Sequence, residues 1–105
     1  MNSFCSDKIL NLIGLCKRAG KLCSGERAVL ESIRTKKSCL VLISEDVFEN
    51  TKKKLEDKCK SYKVKYVFLS DRYTLGKYIK KEYAVSVSVN DKNFADAILK
   101  LIYEN

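Results

Sequence analysis

Histidine and tryptophan are absent from this 105-residue chain, proline is absent too, and glycine occurs only four times. Without histidine there is no serine–histidine–acid triad, no histidine general base and no histidine zinc ligand. So little proline and glycine excludes collagen-like, linker-rich or low-complexity sequence. No long apolar run is present; the longest, Cys39 to Ile43, falls far short of a membrane span. Nor does a basic start lead into an apolar stretch, so we expect neither secretion nor membrane insertion. The five cysteines (Cys5, Cys16, Cys23, Cys39 and Cys59) are odd in number and form no Cys-x-x-Cys pair. They read as reduced thiols in a cytoplasmic protein, most of them buried as small hydrophobes, with no disulfide framework and no metal knuckle.

What remains is one domain, residues 1–105, with enough apolar sequence (46%) for a core of its own. Basic residues number 21 against 13 acidic, a net charge of +8. Such an excess on a small domain points to a polyanion partner, most often nucleic acid. The excess is uneven, +2 over residues 1–50 and +6 over residues 51–105.

Helix and strand patterns alternate along the chain. Ile9, Leu12, Ile13 and Cys16 repeat at helical spacing behind a cap at Ser6 or Asp7, and Gly20 suits the chain reversal after that helix. Lys21-Leu-Cys23 reads as a short strand. Ser24 is expected to cap a second helix, about 25 to 35, with Val29 and Ile33 inward. Cys39 to Ile43 reads as a strand buried on both faces. A third helix follows, about 50 to 62, with Leu55, Cys59 and Tyr62 on one side and pairs Glu49–Lys53 and Glu56–Lys60 on its surface. Val64 to Leu69 is the next strand. Ser70 or Asp71 caps a short helix holding Leu75 and Ile79. Tyr83 to Val89 alternates as a strand, and Asn90 or Asp91 caps a last helix with Phe94, Ala97, Ile98, Leu101 and Ile102. Strands separated by helices predict an α/β fold with helices on both faces of the sheet.

Enzymatic chemistry finds little footing. Gly-x-x-x-x-Gly-Lys and Gly-x-Gly-x-x-Gly are both missing, and no nucleophile sits with an evident base. Glu45-Asp46 is the best acidic pair, read more simply as a loop before the third helix. Lys52-Lys53-Lys54 cannot form one compact patch, because consecutive helical residues point in different directions. Most aromatic rings sit at apolar-periodic positions and are expected in the core, with Tyr73, Tyr78 and Tyr83 the candidates for exposure. The cluster Lys17-Arg18-Ala-Gly-Lys21-Leu-Cys-Ser24-Gly25-Glu26-Arg27 ends at the start of a helix. Free N–H groups and the helix dipole make such a start favourable for phosphate, and an arginine can hold a guanine edge.

Arg18-Ala-Gly-Lys-Leu-Cys-Ser-Gly-Glu, Leu40-Val-Leu-Ile-Ser-Glu-Asp and Glu49-Asn-Thr-Lys-Lys-Lys-Leu-Glu-Asp-Lys-Cys recur together in that order. Leu75-Gly76 and Asn90-Asp-Lys-Asn-Phe-Ala95 continue the set. In this combination the chain resembles the YlxQ-type bacterial branch of the ribosomal-protein superfamily of seven-Ae and thirty-e kink-turn RNA binders. The resemblance implies a three-layer α/β/α sandwich with a central four-stranded mixed sheet. It also implies a non-enzymatic RNA-binding protein in a ribosome- or translation-related setting, without cofactor, metal or small-molecule substrate, and monomeric. Two surfaces would meet the RNA. The start of the second helix enters the groove at sheared G·A pairs, and the loop before the last strand covers bulged bases. Carried onto this chain, the first surface falls on Gly25 to Glu31, including Glu26, Arg27 and Ala28; Arg18, Lys21 and Ser24 of the basic cluster ahead of the helix are expected to join it. The second comprises Lys77, Lys80, Lys81, Glu82, Tyr83 and Ala84. Strict RNA binders carry Gly-x-Asn-Glu-x-x-Lys at the first surface. Here Gly25 is kept, while Arg27, Ala28 and Glu31 replace the other three. The alternative is a protein-interaction module that keeps the fold and has lost specific kink-turn recognition.

Overall fold

The computed structural model describes residues 6–104. Cys5, expected among the cytosolic thiols, lies outside them. Element order is α1 (Asp7–Arg18), β1 (Leu22–Ser24), α2 (Glu26–Arg34), β2 (Leu40–Ile43), α3 (Glu49–Tyr62), β3 (Tyr66–Phe68), α4 (Arg72–Lys77), β4 (Ser86–Val89) and α5 (Lys92–Tyr103). The strands form one sheet in the order β1-β4-β2-β3. β4 runs antiparallel to both β1 and β2, and β3 is parallel to β2.

The period-two alternation of the strands explains the layers. In β2, Leu40 and Leu42 face a core built with α1, α4 and α5, while Val41 and Ile43 face a second core with α2 and α3. All four are fully buried, as a strand covered on both faces requires. Each large aliphatic side chain buried in this way contributes about 1.5–3 kcal/mol. The result is the expected α/β/α sandwich.

Side-chain caps end three helices as the sequence suggests. Ser6, Asp71 and Asp91 accept from the first turns of α1, α4 and α5. Ser24 does not cap α2: it is the last residue of β1, paired with Val87. The N-cap is Gly25, whose φ of +97° makes the strand-to-helix corner and is open to glycine at no steric cost. Other corrections concern side chains. The core is aliphatic, because none of the described aromatic residues is fully buried: Tyr73 and Tyr83 are exposed as expected, but Phe48, Tyr62 and Tyr103 are exposed too, and Tyr78 is half-buried. In α5 the inward alanine is Ala95, not Ala97. Ile79 lies beyond the end of α4, though it is buried. On α3, Lys53 lies 3.9 Å from Asp57, in place of the expected Glu49 and Glu56 pairs. Cys16 and Cys59 are buried thiols, and burial, aided by the charges of Asp91 and Glu56 respectively, raises both to about 11. Cys23 and Cys39 are only half-buried.

On β4 the residues opposite Val87 and Val89 are Ser86 and Ser88, and both are buried. The Ser88 hydroxyl lies 2.6 Å from Asn90 Oδ1 and 2.7 Å from Ser38 Oγ. The Asn90 amide donates to Ser32 Oγ at 3.2 Å, and Cys23 Sγ sits at the same distance from that hydroxyl. This chain of polar contacts fills the seam between α2 and the sheet and satisfies groups that would be costly if left unpaired.

Close packing fixes the segment ahead of β4. A Cβ on Gly76 would stand 2.6 Å from Tyr83 Cα, and the backbone is tied by Lys81 N–H to the Gly76 carbonyl (2.9 Å) and Ala84 N–H to the Arg72 carbonyl (2.9 Å). Gly76→Ala therefore has to push the 80–84 loop outward. We expect a loss of about 1–3 kcal/mol in urea unfolding, typical of overpacking against backbone; unchanged stability would contradict this packing.

Candidate nucleic-acid interface

The two surfaces expected from the sequence meet at one end of the sheet. Gly25 N–H donates to the Ser86 carbonyl at 3.0 Å, so the start of α2 and the start of β4 are bonded directly. Around that bond lies a groove of about 520 Å³ lined by Ser24, Gly25, Glu26, Lys81, Glu82, Tyr83 and Ala84. Phe48, Thr51, Arg72, Val85 and Ser86 complete the lining.

The other expected residues are placed differently. Arg27 and Glu31 line a shallow depression beside the groove, with Leu30, Arg34 and Lys58. Glu31 is turned to Arg34 at 2.7 Å, and the hydrogen bond and charge of Arg34 hold its carboxyl below the usual range. Ala28 is half-buried, and its carbonyl accepts from Cys23 Sγ. Lys77 and Lys80 are exposed at the end of α4 and beyond it, outside the groove lining. Arg18 is exposed at the end of α1, lining a shallow surface depression with Leu12 and Leu101, outside the groove lining. Lys21 is at the far end of β1, its carbonyl bonded to Asn90 N–H, at the opposite end of the sheet from the groove.

Sequence reading missed Phe48, Thr51 and Arg72. They come from two further segments, the start of α3 and the start of α4, and only the fold brings them together. Phe48 is the N-cap residue of α3 and is 72% exposed. The Arg72 guanidinium packs over its ring, 5.0 Å from the centroid. Asp46 orients that guanidinium: Arg72 Nη2 donates to the Asp46 carbonyl at 2.6 Å and Nε to Oδ2 at 3.3 Å. Burial would raise the Asp46 carboxyl, but hydrogen bonds from the Arg72 backbone N–H and guanidinium and the Arg72 charge outweigh it and hold it below its ordinary value. Glu45-Asp46 is thus a loop clamp. Among the described residues no group of three potential metal ligands occurs.

Two helix starts converge on the groove, α2 at Gly25 and α3 at Phe48, and neither has a side-chain cap. Their first-turn N–H groups are left for another acceptor, and both dipoles present their positive ends there. Glu26, in the first turn of α2, is neutralised by Lys54 at 3.1 Å and also accepts from Thr51 Oγ1. Ser86 Oγ, buried at the groove floor, has no hydrogen-bond partner among the described residues. An exposed ring, a stacked guanidinium, open N–H groups and an unpaired hydroxyl make a surface for holding a flat polar group beside an acceptor-rich one. They do not make a reaction chamber.

Fold and groove together define a small α/β/α recognition domain whose site lies at one end of a mixed sheet. The chain belongs to the ribosomal protein L7Ae/L30e/S12e/Gadd45 family, whose model matches residues 7–99. It is 45% identical to the RNA-binding protein YlxQ of Bacillus subtilis, an alignment covering 87% of this chain and 91% of that one. It is 38% identical to the RNA-binding protein YlxQ of Enterococcus faecium over 97% and 98% of the two chains. A solved structure of a protein of unknown function from Bacillus halodurans superposes with a TM-score of 0.89 at 37% identity, covering 93% of this chain and 99% of that one.

The Asp46 clamp gives a test by pH. A carboxyl lowered in the fold stabilises above its unfolded pKa, and that contribution is lost as pH falls through the lowered value. With the pair half exposed, the effect is under about 1 kcal/mol. Asp46→Asn should shrink the loss of stability between about pH 7 and about pH 3 in urea melts. Equal acid sensitivity in both proteins would contradict the clamp.

Proposed function

We propose that this protein is a non-enzymatic RNA-binding protein of the cytoplasm. It recognises structured RNA of the kink-turn type, as a monomer, in a ribosome- or translation-related setting. The observation that carries the reading is the convergence of two uncapped helix starts with Phe48, Arg72 and Tyr83 around one groove. Unpaired N–H groups at helix starts suit phosphate and carbonyl oxygens, while exposed rings and a flat guanidinium suit an unstacked base. A kinked RNA offers both together: a bent backbone and bases splayed from the stack. The names of the YlxQ relatives and the ribosomal family support the same partner.

In this reading Phe48 and Tyr83 stack bases, and Arg72 is held flat beside Phe48. The α2 start meets the G·A pairs, with Arg27 replacing the usual asparagine as a donor to a guanine edge. Ala28 and Glu31 withdraw two contacts of the strict pattern. Glu31 is already satisfied by Arg34, which limits its repulsion of phosphate.

A second reading, a protein-docking module, is favoured by one observation: the groove lining carries Arg72 and Lys81 against Glu26 and Glu82, so it has no net charge. Pull-down after nuclease treatment separates the two, because a protein partner survives loss of RNA.

Titration against a kink-turn RNA and a duplex of equal length tests the proposal. We expect preference for the kink-turn. Phe48→Ala should cost about 1–3 kcal/mol as a lost stacking contact, and Arg27→Ala about 1–3 kcal/mol as a lost base contact. Equal, weak, salt-sensitive binding to both RNAs would overturn it.

A further inference from the structure

If the groove has no net charge, the +8 of the chain resides elsewhere. A large share of it gathers at the other end of the sheet. A second groove, about 650 Å³, opens where the chain enters β2 and β3. Its rim carries Lys36, Lys63, Lys65 and Lys92 against a single acid, Asp96, and Asp96 is bonded to Lys92 at 2.9 Å. Lys37 adjoins the rim and is exposed. Among the described residues Lys36, Lys37, Lys63 and Lys65 take part in no ion pair. The apolar lining between them includes Ile33, Val64, Ala95 and Leu99.

Two of these lysines stand where the backbone disfavours them. Lys36 (φ +64°) and Lys63 (φ +59°) take the left-handed conformation just past α2 and α3, a position that glycine fills without strain. A cation offsets the negative end of a helix dipole, which gives each of the two a local role. That role does not extend to Lys65, which precedes β3, or to Lys92, which opens α5 at the end where a cation is unfavourable.

The registers show that the two grooves are opposed. Ile43 and Ser86 pair at the first end; Leu40 and Val89 pair at the second, and Cys39 N–H continues the ladder to the Val89 carbonyl. The intervening strand alone spans about 13 Å at the usual rise. An RNA segment seated in the first groove therefore leaves the lysine groove free.

We propose that the lysine groove is a second RNA-docking surface, which holds the phosphate backbone of an RNA helix distinct from the segment in the first groove. Duplex RNA suits it because a double helix is recognised largely through backbone shape and phosphate, and flexible ammonium groups supply point charges without demanding a sequence. The protein would then clasp two helices of one folded RNA from opposite ends of its sheet. The bridging consequence rests on the proposed reading of the first groove; the docking surface itself does not.

The test compares the native protein with the triple variant Lys36→Gln/Lys63→Gln/Lys65→Gln. A control, Lys8→Gln/Lys53→Gln/Lys100→Gln, removes equal charge elsewhere. Thermal melts establish that all three are folded. Binding to a short blunt RNA duplex is followed by fluorescence anisotropy across a salt series. The groove variant should bind at least about tenfold more weakly, with a log-affinity slope against log salt shallower by about 2–3 units, and the control should keep most of its affinity. Retained duplex binding in the groove variant, or an equal loss in the control, would overturn the proposal. A polyglutamate peptide that displaces the duplex at equal charge concentration would also overturn it, in favour of an acidic protein partner. A minimal kink-turn RNA, titrated in parallel, should bind the native protein and the groove variant alike. Failure of both to bind it would count against the first groove's reading and leave the duplex comparison decisive for the second.

Discussion

β4 is the constraint on which the site depends. It is the one strand bonded antiparallel on both sides, to β1 and to β2. Its first residue, Ser86, pairs with Ile43, and its carbonyl accepts from Gly25. A strand cannot slip by one residue without turning its core face to the other side. Val87 and Val89, locked into the α1–α5 core, therefore fix where Ser86 lies and, with it, the turn into α2. The 81–85 segment arrives on the same register, pinned from below by Gly76. Groove geometry is thus a consequence of core packing.

That division explains what could be read from the sequence. The elements were legible because apolar periodicity and caps are local signals: the Leu40–Ile43 run, Asp71 ahead of α4 and Asp91 ahead of α5 each carry their meaning within a few residues. Ser24 misled for a physical reason. A serine before a glycine at a strand–helix corner satisfies the cap pattern, yet pairing with Val87 keeps it in the strand. The aromatic residues misled in another way, since periodicity places a ring on a face without saying whether that face is covered. Half of the groove was legible, from Ser24 to Glu26 and from Lys81 to Ala84. Phe48 and Arg72 were not, because the Asp46–Arg72 contact that assembles them joins residues twenty-six positions apart. Arg18 and Lys21 were drawn in by sequence proximity to Gly25; the strand between carries Lys21 to the end of the sheet opposite the groove.

Charge and geometry are separated in this molecule. The groove offers shape, rings and open N–H groups with balanced side-chain charge, while the lysine excess lies around the opposite end of the sheet and along α3. In the proposed reading, specific contacts and general phosphate attraction can be tuned independently, the first by the neutral groove and the second by exposed lysines whose replacement leaves the core untouched. In the proposed reading, the changes at Arg27, Ala28 and Glu31 fit such an arrangement, because they would alter contacts at the α2 start without touching the buried Val29 and Ile33.

Amide hydrogen exchange on kink-turn binding addresses the central claim most directly. If the two uncapped helix starts and the 81–86 segment form one interface, protection on adding the RNA should rise together at residues 25–28, 48–51 and 81–86, and change little along the outer face of α1 and α5. Protection confined to one of those segments, or greatest on α1 and α5, would contradict a single interface assembled at the start of β4.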